Sequence, residues 1–231
     1  MFQKVIFCLL FLFIPLNRAA VNTVANSPFT SSDPVSELAA GEQLFEEMEL
    51  GGTVNFIAFR QAVAGYNRIK EKSKPILTLI DFSKPSTEKR FFVFDMEKKK
   101  LLYASVVAHG RNSGENYATS FSNQYGSYKS SLGFYLTENT YQGGNGYSLI
   151  LNGLEKGIND KAKARSIVVH GAPYANPSVA ASGRLGRSLG CPALPTKLAR
   201  PIINTIKDGS VMFIYANNPH YLAQSNILHK N

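Results

Sequence analysis

The chain has 231 residues, a formal net charge of +9 and 44% hydrophobic residues. This composition indicates a globular rather than a disordered chain, and the length allows one substantial hydrophobic core. The positive charge suits an anionic partner such as a cell-wall glycan or a membrane surface. No nucleic-acid partner is expected, because the basic residues are scattered and no nucleic-acid-binding motif is present.

The first 25 residues have the parts of a secretory signal peptide. A basic start at Lys4 precedes an apolar run over residues 5–16, which is short for a membrane span of about 20 residues. Small residues follow, so we expect a signal peptide over residues 1–25 that ends between 19 and 25. The expected product is exported to the periplasm or cell envelope and meets the membrane only transiently, through the signal peptide. An uncleaved membrane anchor is the alternative.

Two amphipathic helices are predicted within an N-terminal helical segment at residues 26–74. The first begins near Pro34, with Ser32 or Asp33 as its N-cap. The second covers about residues 55–70, where apolar residues recur at helical spacing. We expect each helix to pack its apolar face against the domain that follows.

A β-rich domain is predicted over residues 75–217, followed by a polar, loosely held tail at 218–231. Its short β-branched and aromatic runs lie at residues 76–82, 90–95, 101–108, 133–138, 147–154, 166–170 and 211–216. This spacing predicts a mainly β fold with flanking helices (α+β), as a mostly antiparallel sandwich or a partly open barrel. The basic run at 97–100 is expected to form a solvated hairpin turn. A late helix is predicted from about Thr196, with Pro201 in its first turn or at a kink.

Cys191 would be the only cysteine of the exported chain, because Cys8 lies in the predicted signal peptide. A lone cysteine in an oxidising compartment is an inert core residue, half of an intermolecular bridge or a reactive thiol. The flanking residues Gly190 and Pro192 indicate a loop, and loops commonly carry functional sites. The sequence therefore favours a reactive thiol.

A thiol with the ordinary pKa of about 8.5 needs a base or a positive environment to act as a nucleophile. His170, at the end of a buried strand, is the candidate base. Arg184 and Arg187 are the candidate positive charges and could contact an anionic substrate group. No metal site is predicted, since the Cys-x-x-Cys and His-x-x-x-His spacings are absent.

The segments "VVHGA" and "GRSLGC" resemble the His-Gly and Ser-x-Gly-Cys signature of the L,D-transpeptidase catalytic domain family, in its murein branch. The similarity covers roughly residues 75–216. It implies a β-rich fold, peptidoglycan stem peptides as substrate, a thioester intermediate, and no metal or organic cofactor. In this family the attacked carbonyl belongs to the third residue of the donor stem peptide, and the fourth, a D-amino acid, leaves.

Carried over by this resemblance, Cys191 is the nucleophile, His170 is the base, and the carbonyl of Gly171 orients the imidazole. Ser188 and Gly190 belong to the loop that would contribute oxyanion donors. Upstream, His109 and Arg111 are candidates for lining the substrate cleft, with turn chemistry as the alternative.

The sequence departs from the family pattern at Leu189, which stands where many transpeptidases carry a second histidine. All general-base work would then depend on His170. Three functions stay open: acyl transfer between stem peptides, hydrolysis at the same site as an L,D-carboxypeptidase, and a catalytically silent wall-binding module. A sortase-like enzyme is disfavoured, because the Thr-x-Thr-Cys motif is absent.

Overall fold

The computed structural model describes residues 34–229. The predicted signal peptide and the proposed caps Ser32 and Asp33 lie outside the described residues. The helices are α1 (Pro34–Glu47), α2 (Phe56–Arg68), α3 (Pro177–Ala180), α4 (Thr196–Ile206), α5 (Pro219–Gln224) and α6 (Asn226–His229). The strands are β1 (Ile76–Asp81), β2 (Phe91–Asp95), β3 (Lys100–Ser105), β4 (Gly133–Gly143), β5 (Gly146–Gly153), β6 (Val168–Gly171), β7 (Ala193–Leu194) and β8 (Val211–Tyr215).

The two predicted N-terminal helices are present; α2 packs on the sheet, and α1 packs against α2. Asn55 caps α2, since its side-chain oxygen accepts from the backbone amides of Ile57 and Ala58. Phe45 of α1 meets the buried ring of Phe59 in α2 edge to face, with ring centroids 5.6 Å apart. Helix α2 contacts β1 and β8, so the helical pair joins the core at the middle of the sheet.

The strands form one eight-stranded sheet in the order β3-β2-β1-β8-β4-β5-β6-β7. Pairing is mostly antiparallel, as predicted, and only β1–β8 and β6–β7 are parallel among the named strands. The chain after β3 returns to the opposite edge. There the amides of Ala108 and Ala193 exchange hydrogen bonds with each other's carbonyls at 2.8 and 3.2 Å. The sheet is therefore a nearly closed barrel rather than a sandwich.

The predicted turn at 97–100 is an exposed β2–β3 hairpin turn, in which Lys99 has a φ of 49°. Helix α4 forms where expected, but Pro201 lies at its centre and not in its first turn. The helix accommodates the proline because its apolar face, including Ile202, Ile203 and Ile206, is fully buried.

The prediction of a loosely held tail at 218–231 is wrong for the described part. Tyr221 of α5 is buried and its hydroxyl donates to Glu155 at 3.2 Å. The Ser225 hydroxyl donates to the other oxygen of the same carboxylate, and Arg68 of α2 donates to the carbonyl of Leu228 at 3.0 Å. Tyr221 and Ser225 are buried and bind the buried carboxyl group of Glu155, so the polar composition of this segment did not mean that it is loosely held. Among residues 34–229, no helix has both the length and the apolar character of a membrane span.

Candidate active site

The strand pair β6–β7 brings His170 and the loop of Cys191 side by side. His170 lies opposite Ala193 in the parallel register, and Cys191 precedes β7 by two residues. The Cys191 sulfur accepts from the amide of Val168 at 3.5 Å, and its S–H donates to the carbonyl of Ser166 at 3.6 Å. The thiol is thus held against the start of β6.

The His170 imidazole is oriented by its neighbour. Its Nδ1 lies 3.1 Å from the carbonyl oxygen of Gly171. Because a carbonyl only accepts, Nδ1 carries the proton and Nε2 of the neutral ring has the free lone pair. Burial lowers the pKa of His170, so the ring is neutral at pH 7 and able to take a proton. Within residues 34–229, no hydrogen bond joins this ring to the Cys191 sulfur.

The Ser188–Cys191 loop satisfies its own polar groups. The Ser188 hydroxyl donates to the carbonyl of Cys191 at 2.6 Å and accepts from the amide of Gly190 at 3.1 Å. The Ser188 hydroxyl and the Gly190 amide are thus already used to close the turn, and the expectation that this loop contributes oxyanion donors stays a prediction. One donor of the loop that the turn does not use is the Cys191 amide, which interacts with its own sulfur.

Ser130 holds the other side of the Ser188–Cys191 loop. Its hydroxyl donates to the carbonyl of Gly190 at 3.0 Å and accepts from the amide of Gly110 at 3.0 Å. Its own amide donates to the hydroxyl of Ser113 at 2.9 Å. Gly190 has a φ of 127°, a conformation that glycine adopts without strain. These contacts fix the peptide that leads into Cys191.

Two residues near the thiol were missed by the sequence analysis. Arg165, in the turn before β6, has a guanidinium that interacts electrostatically with Cys191. The Tyr174 phenol does the same, and burial together with the thiolate raises its pKa to about 12. Burial raises the pKa of Cys191, whereas the Val168 amide and Arg165 oppose that effect. Only the position of Arg165 just before "SIVVH" could have drawn attention to it.

The two arginines that precede Cys191 share one carboxylate. Arg184 Nε lies 3.0 Å and Arg187 Nη1 lies 2.6 Å from the oxygens of Glu115. Arg187 also donates to the carbonyl of Gly114 at 3.1 Å. A substrate carboxylate would have to replace Glu115, so substrate binding by either arginine stays a prediction.

The prediction that His109 lines the substrate cleft is wrong, because the residue is fully buried. Its Nδ1 lies 2.7 Å from Nη2 of the buried Arg90, and its Nε2 lies 3.2 Å from the carbonyl oxygen of Gly114. Burial and the Arg90 charge lower the pKa of His109 to about 4. His109 is therefore a neutral link in the core and has no free nitrogen for a substrate.

Leu189, within the Ser188–Cys191 loop, and Arg111, beside that loop, lie at the surface. The Arg111 amide donates to the carbonyl of Ser188 at 2.8 Å, and its exposed guanidinium stacks over Tyr128 at 4.3 Å from the ring centroid. Leu189 is 58% exposed. Both positions are open to a ligand. Within residues 34–229, no three His, Cys, Asp or Glu side chains are grouped so that they could hold a metal ion.

The sequence matches the family described as L,D-transpeptidase catalytic domain over residues 51–215. No curated protein matches the chain. Solved structures similar to the chain include an L,D-transpeptidase from Mycobacterium smegmatis, at 13% identity and a TM-score of 0.38, covering 62% of this chain and 59% of that chain.

A second is an L,D-transpeptidase from Stackebrandtia nassauensis, at 14% identity and a TM-score of 0.37, covering 79% of each chain. A third is L,D-transpeptidase 3 from Mycobacterium tuberculosis in complex with a faropenem-derived adduct, at 15% identity and a TM-score of 0.38, covering 61% of this chain and 60% of that one. The chain thus spans about three fifths of the length of the first and third of these proteins.

Proposed function

Because the chain belongs to the L,D-transpeptidase catalytic domain family, we propose that it is an exported cysteine acyltransferase acting on peptidoglycan stem peptides. Cys191 is the nucleophile and His170 is the general base. The observation that carries the proposal is the imidazole held by the Gly171 carbonyl, with its Nε2 lone pair free, on the strand beside the Cys191 loop.

The reaction begins from a neutral pair. Burial raises the pKa of the Cys191 thiol and lowers that of the His170 imidazole, which disfavours a resting thiolate–imidazolium pair. Proton transfer from sulfur to Nε2 therefore accompanies attack on the donor carbonyl. Since no hydrogen bond joins the two groups within the described chain, substrate binding has to bring them into line.

Acylation then follows the order expected of a cysteine acyltransferase. As it loses its proton to Nε2, the Cys191 sulfur attacks the carbonyl of the third stem-peptide residue, and the Cys191 amide is proposed as a donor to the oxyanion. The C–N bond breaks, and the imidazolium returns its proton to the departing amine of the fourth residue. An acceptor amine resolves the thioester to form a cross-link, whereas water would give hydrolysis.

Export is part of the proposal. The basic start, the apolar run at residues 5–16 and the small residues after it support secretion. N-terminal sequencing of the protein from cells should find a start between residues 20 and 26. A chain that keeps Met1 in the cytoplasm would contradict this part of the proposal.

The function is tested with purified disaccharide tetrapeptide and a mature chain that starts at residue 26. Intact-mass analysis should show an acyl adduct confined to Cys191, and product analysis should show cross-linked dimers. Cys191→Ser should abolish both, because an alkoxide is much harder to form than a thiolate. His170→Gln should reduce turnover by about 100-fold or more.

The same experiment separates the alternatives. Release of the fourth residue without dimers would assign an L,D-carboxypeptidase. Neither adduct nor product from the folded protein would favour a silent wall-binding module. Full turnover by Cys191→Ser would overturn the mechanism.

A further inference from the structure

We infer that Arg165 is a positioning residue for Cys191: its guanidinium holds the loop at residues 122–131 against the nucleophile segment and places a positive charge beside the thiol. This inference rests on the proposed role of Cys191. It concerns a residue outside the His-Gly and Ser-x-Gly-Cys motifs, in the turn that leads into β6.

The guanidinium of Arg165 donates hydrogen bonds to four acceptors in one loop. Nη1 donates to the carbonyl of Ser122 at 2.7 Å and to the hydroxyl of Ser131 at 2.6 Å. Nη2 donates to the carbonyl of Lys129 at 2.7 Å and to the hydroxyl of Ser127 at 3.2 Å. All four acceptors are neutral, so these contacts use the planar fork of arginine without cancelling its charge.

The loop held by Arg165 is in contact with the nucleophile segment. A Cβ placed on Gly190 would lie 3.0 Å from the Lys129 carbonyl oxygen and 3.5 Å from Arg165 Nη2. The hydroxyl of Ser130, next to Lys129, donates to the Gly190 carbonyl. Guanidinium, loop and nucleophile segment therefore form one packed unit, in which a shift of the loop moves the peptide before Cys191.

The charge of Arg165 acts on a thiol that burial disfavours as an anion. Among the described residues, the titratable side chains that interact electrostatically with the sulfur are Arg165 and Tyr174, and Arg165 is the positive charge of the two. His170 lies on the adjacent strand β6. A positive charge near a thiol stabilises the thiolate. Arg165 thus offsets part of the cost of burying the nucleophile.

The alternative is that Arg165 only ties a loop to the fold. Such a role would change stability but would not change the acidity of the thiol. Arg68 supplies a matched control, because its guanidinium also donates to backbone carbonyls, those of Ile227 and Leu228, and it lies on α2, which packs on β1 and β8.

The test measures alkylation of Cys191 by iodoacetamide between pH 7 and 10, with the labelled site read by mass spectrometry. Arg165→Gln should raise the pH midpoint and slow alkylation at pH 8 by about 10-fold, the effect of one pKa unit. Arg165→Lys, which keeps the charge, should restore most of the rate. Arg68→Gln should match the wild type. An unchanged midpoint in Arg165→Gln, or Arg165→Lys behaving like Arg165→Gln, would overturn the inference.

Ser127→Asp keeps the test decisive if Arg165→Gln does not fold. The new carboxylate would face Nη2 while Arg165 and its packing stay in place, so neutralisation of the charge should also raise the midpoint. A folded Ser127→Asp variant with a wild-type midpoint would overturn the inference. Alkylation needs no peptidoglycan, so this result is independent of whether the enzyme turns over stem peptides.

Discussion

Ser130→Ala is expected to destabilise the protein through two buried backbone groups. The Ser130 hydroxyl serves the Gly190 carbonyl and the Gly110 amide, each at 3.0 Å, and Ser130 is 1% exposed. Alanine would leave both groups without a partner in a site closed to bulk water. Each unsatisfied buried group costs about 1–3 kcal/mol, so losing two should lower the free energy of unfolding by about 2–6 kcal/mol.

The change is measured by urea denaturation and by thermal unfolding. For a chain of this size each kcal/mol lowers Tm by roughly 2–4 °C, so a fall on the order of 10 °C is expected. Ser182→Ala is the matched control, because the Ser182 hydroxyl is exposed and only donates to the Val179 carbonyl. That variant should stay within about 0.5 kcal/mol of the wild type.

The result that would refute the reasoning is a Ser130→Ala variant as stable as Ser182→Ala. It would mean that the Gly190 carbonyl and Gly110 amide find other partners when the hydroxyl is removed. The link between the 122–131 loop and the Cys191 segment would then rest on packing alone.

Three further changes test other parts of the structure. Gly190→Ala should cost about 1–3 kcal/mol from the strained φ alone, with a new Cβ 2.9 Å from Ile167 Cδ1; wild-type urea denaturation would contradict this. Tyr221→Phe should cost about 1.5–3 kcal/mol by losing its hydrogen bond to the Glu155 carboxyl, and limited proteolysis should cleave the C-terminal segment faster. If cleavage does not change, α5 is held by its apolar contacts. Burial lowers the pKa of His170, so as the solution is made more acidic kcat/KM should begin to fall only below about pH 6.5. If kcat/KM already falls on acidification while the pH is still above 7, the base is not a neutral imidazole.

The sequence predicted the strands that consist of a continuous run of mostly apolar residues. Every residue of β1 and β2 is buried, and the β-branched and aromatic composition of these runs is enough to identify them as strands. Strand β7 was missed because its two residues have no periodicity. Its pairing depends on β6 and on Ala108, which are distant in sequence.

In the site, too, residues that lie in a short local motif could be identified from the sequence, whereas residues that act through distant contacts could not. Cys191 and His170 were identified from a short motif, and the structure brings their segments together, although their roles stay predictions. Arg165 was missed because its four acceptors lie about 40 residues upstream. His109 was wrongly placed in the cleft, since nothing in "AHGRNSG" reveals that the buried Arg90 occupies its ring nitrogen.

The closure of the sheet next to Cys191 limits how a ligand can be recognised. Strand β7 pairs with β6 on one side and with the segment at Ala108 on the other, so neither of its edges is free. A peptide that is bound by strand addition needs an open edge to extend. A donor at this thiol therefore has to be held through side chains and single loop amides, and inhibitors that imitate an added β-strand would gain nothing from the backbone of β7.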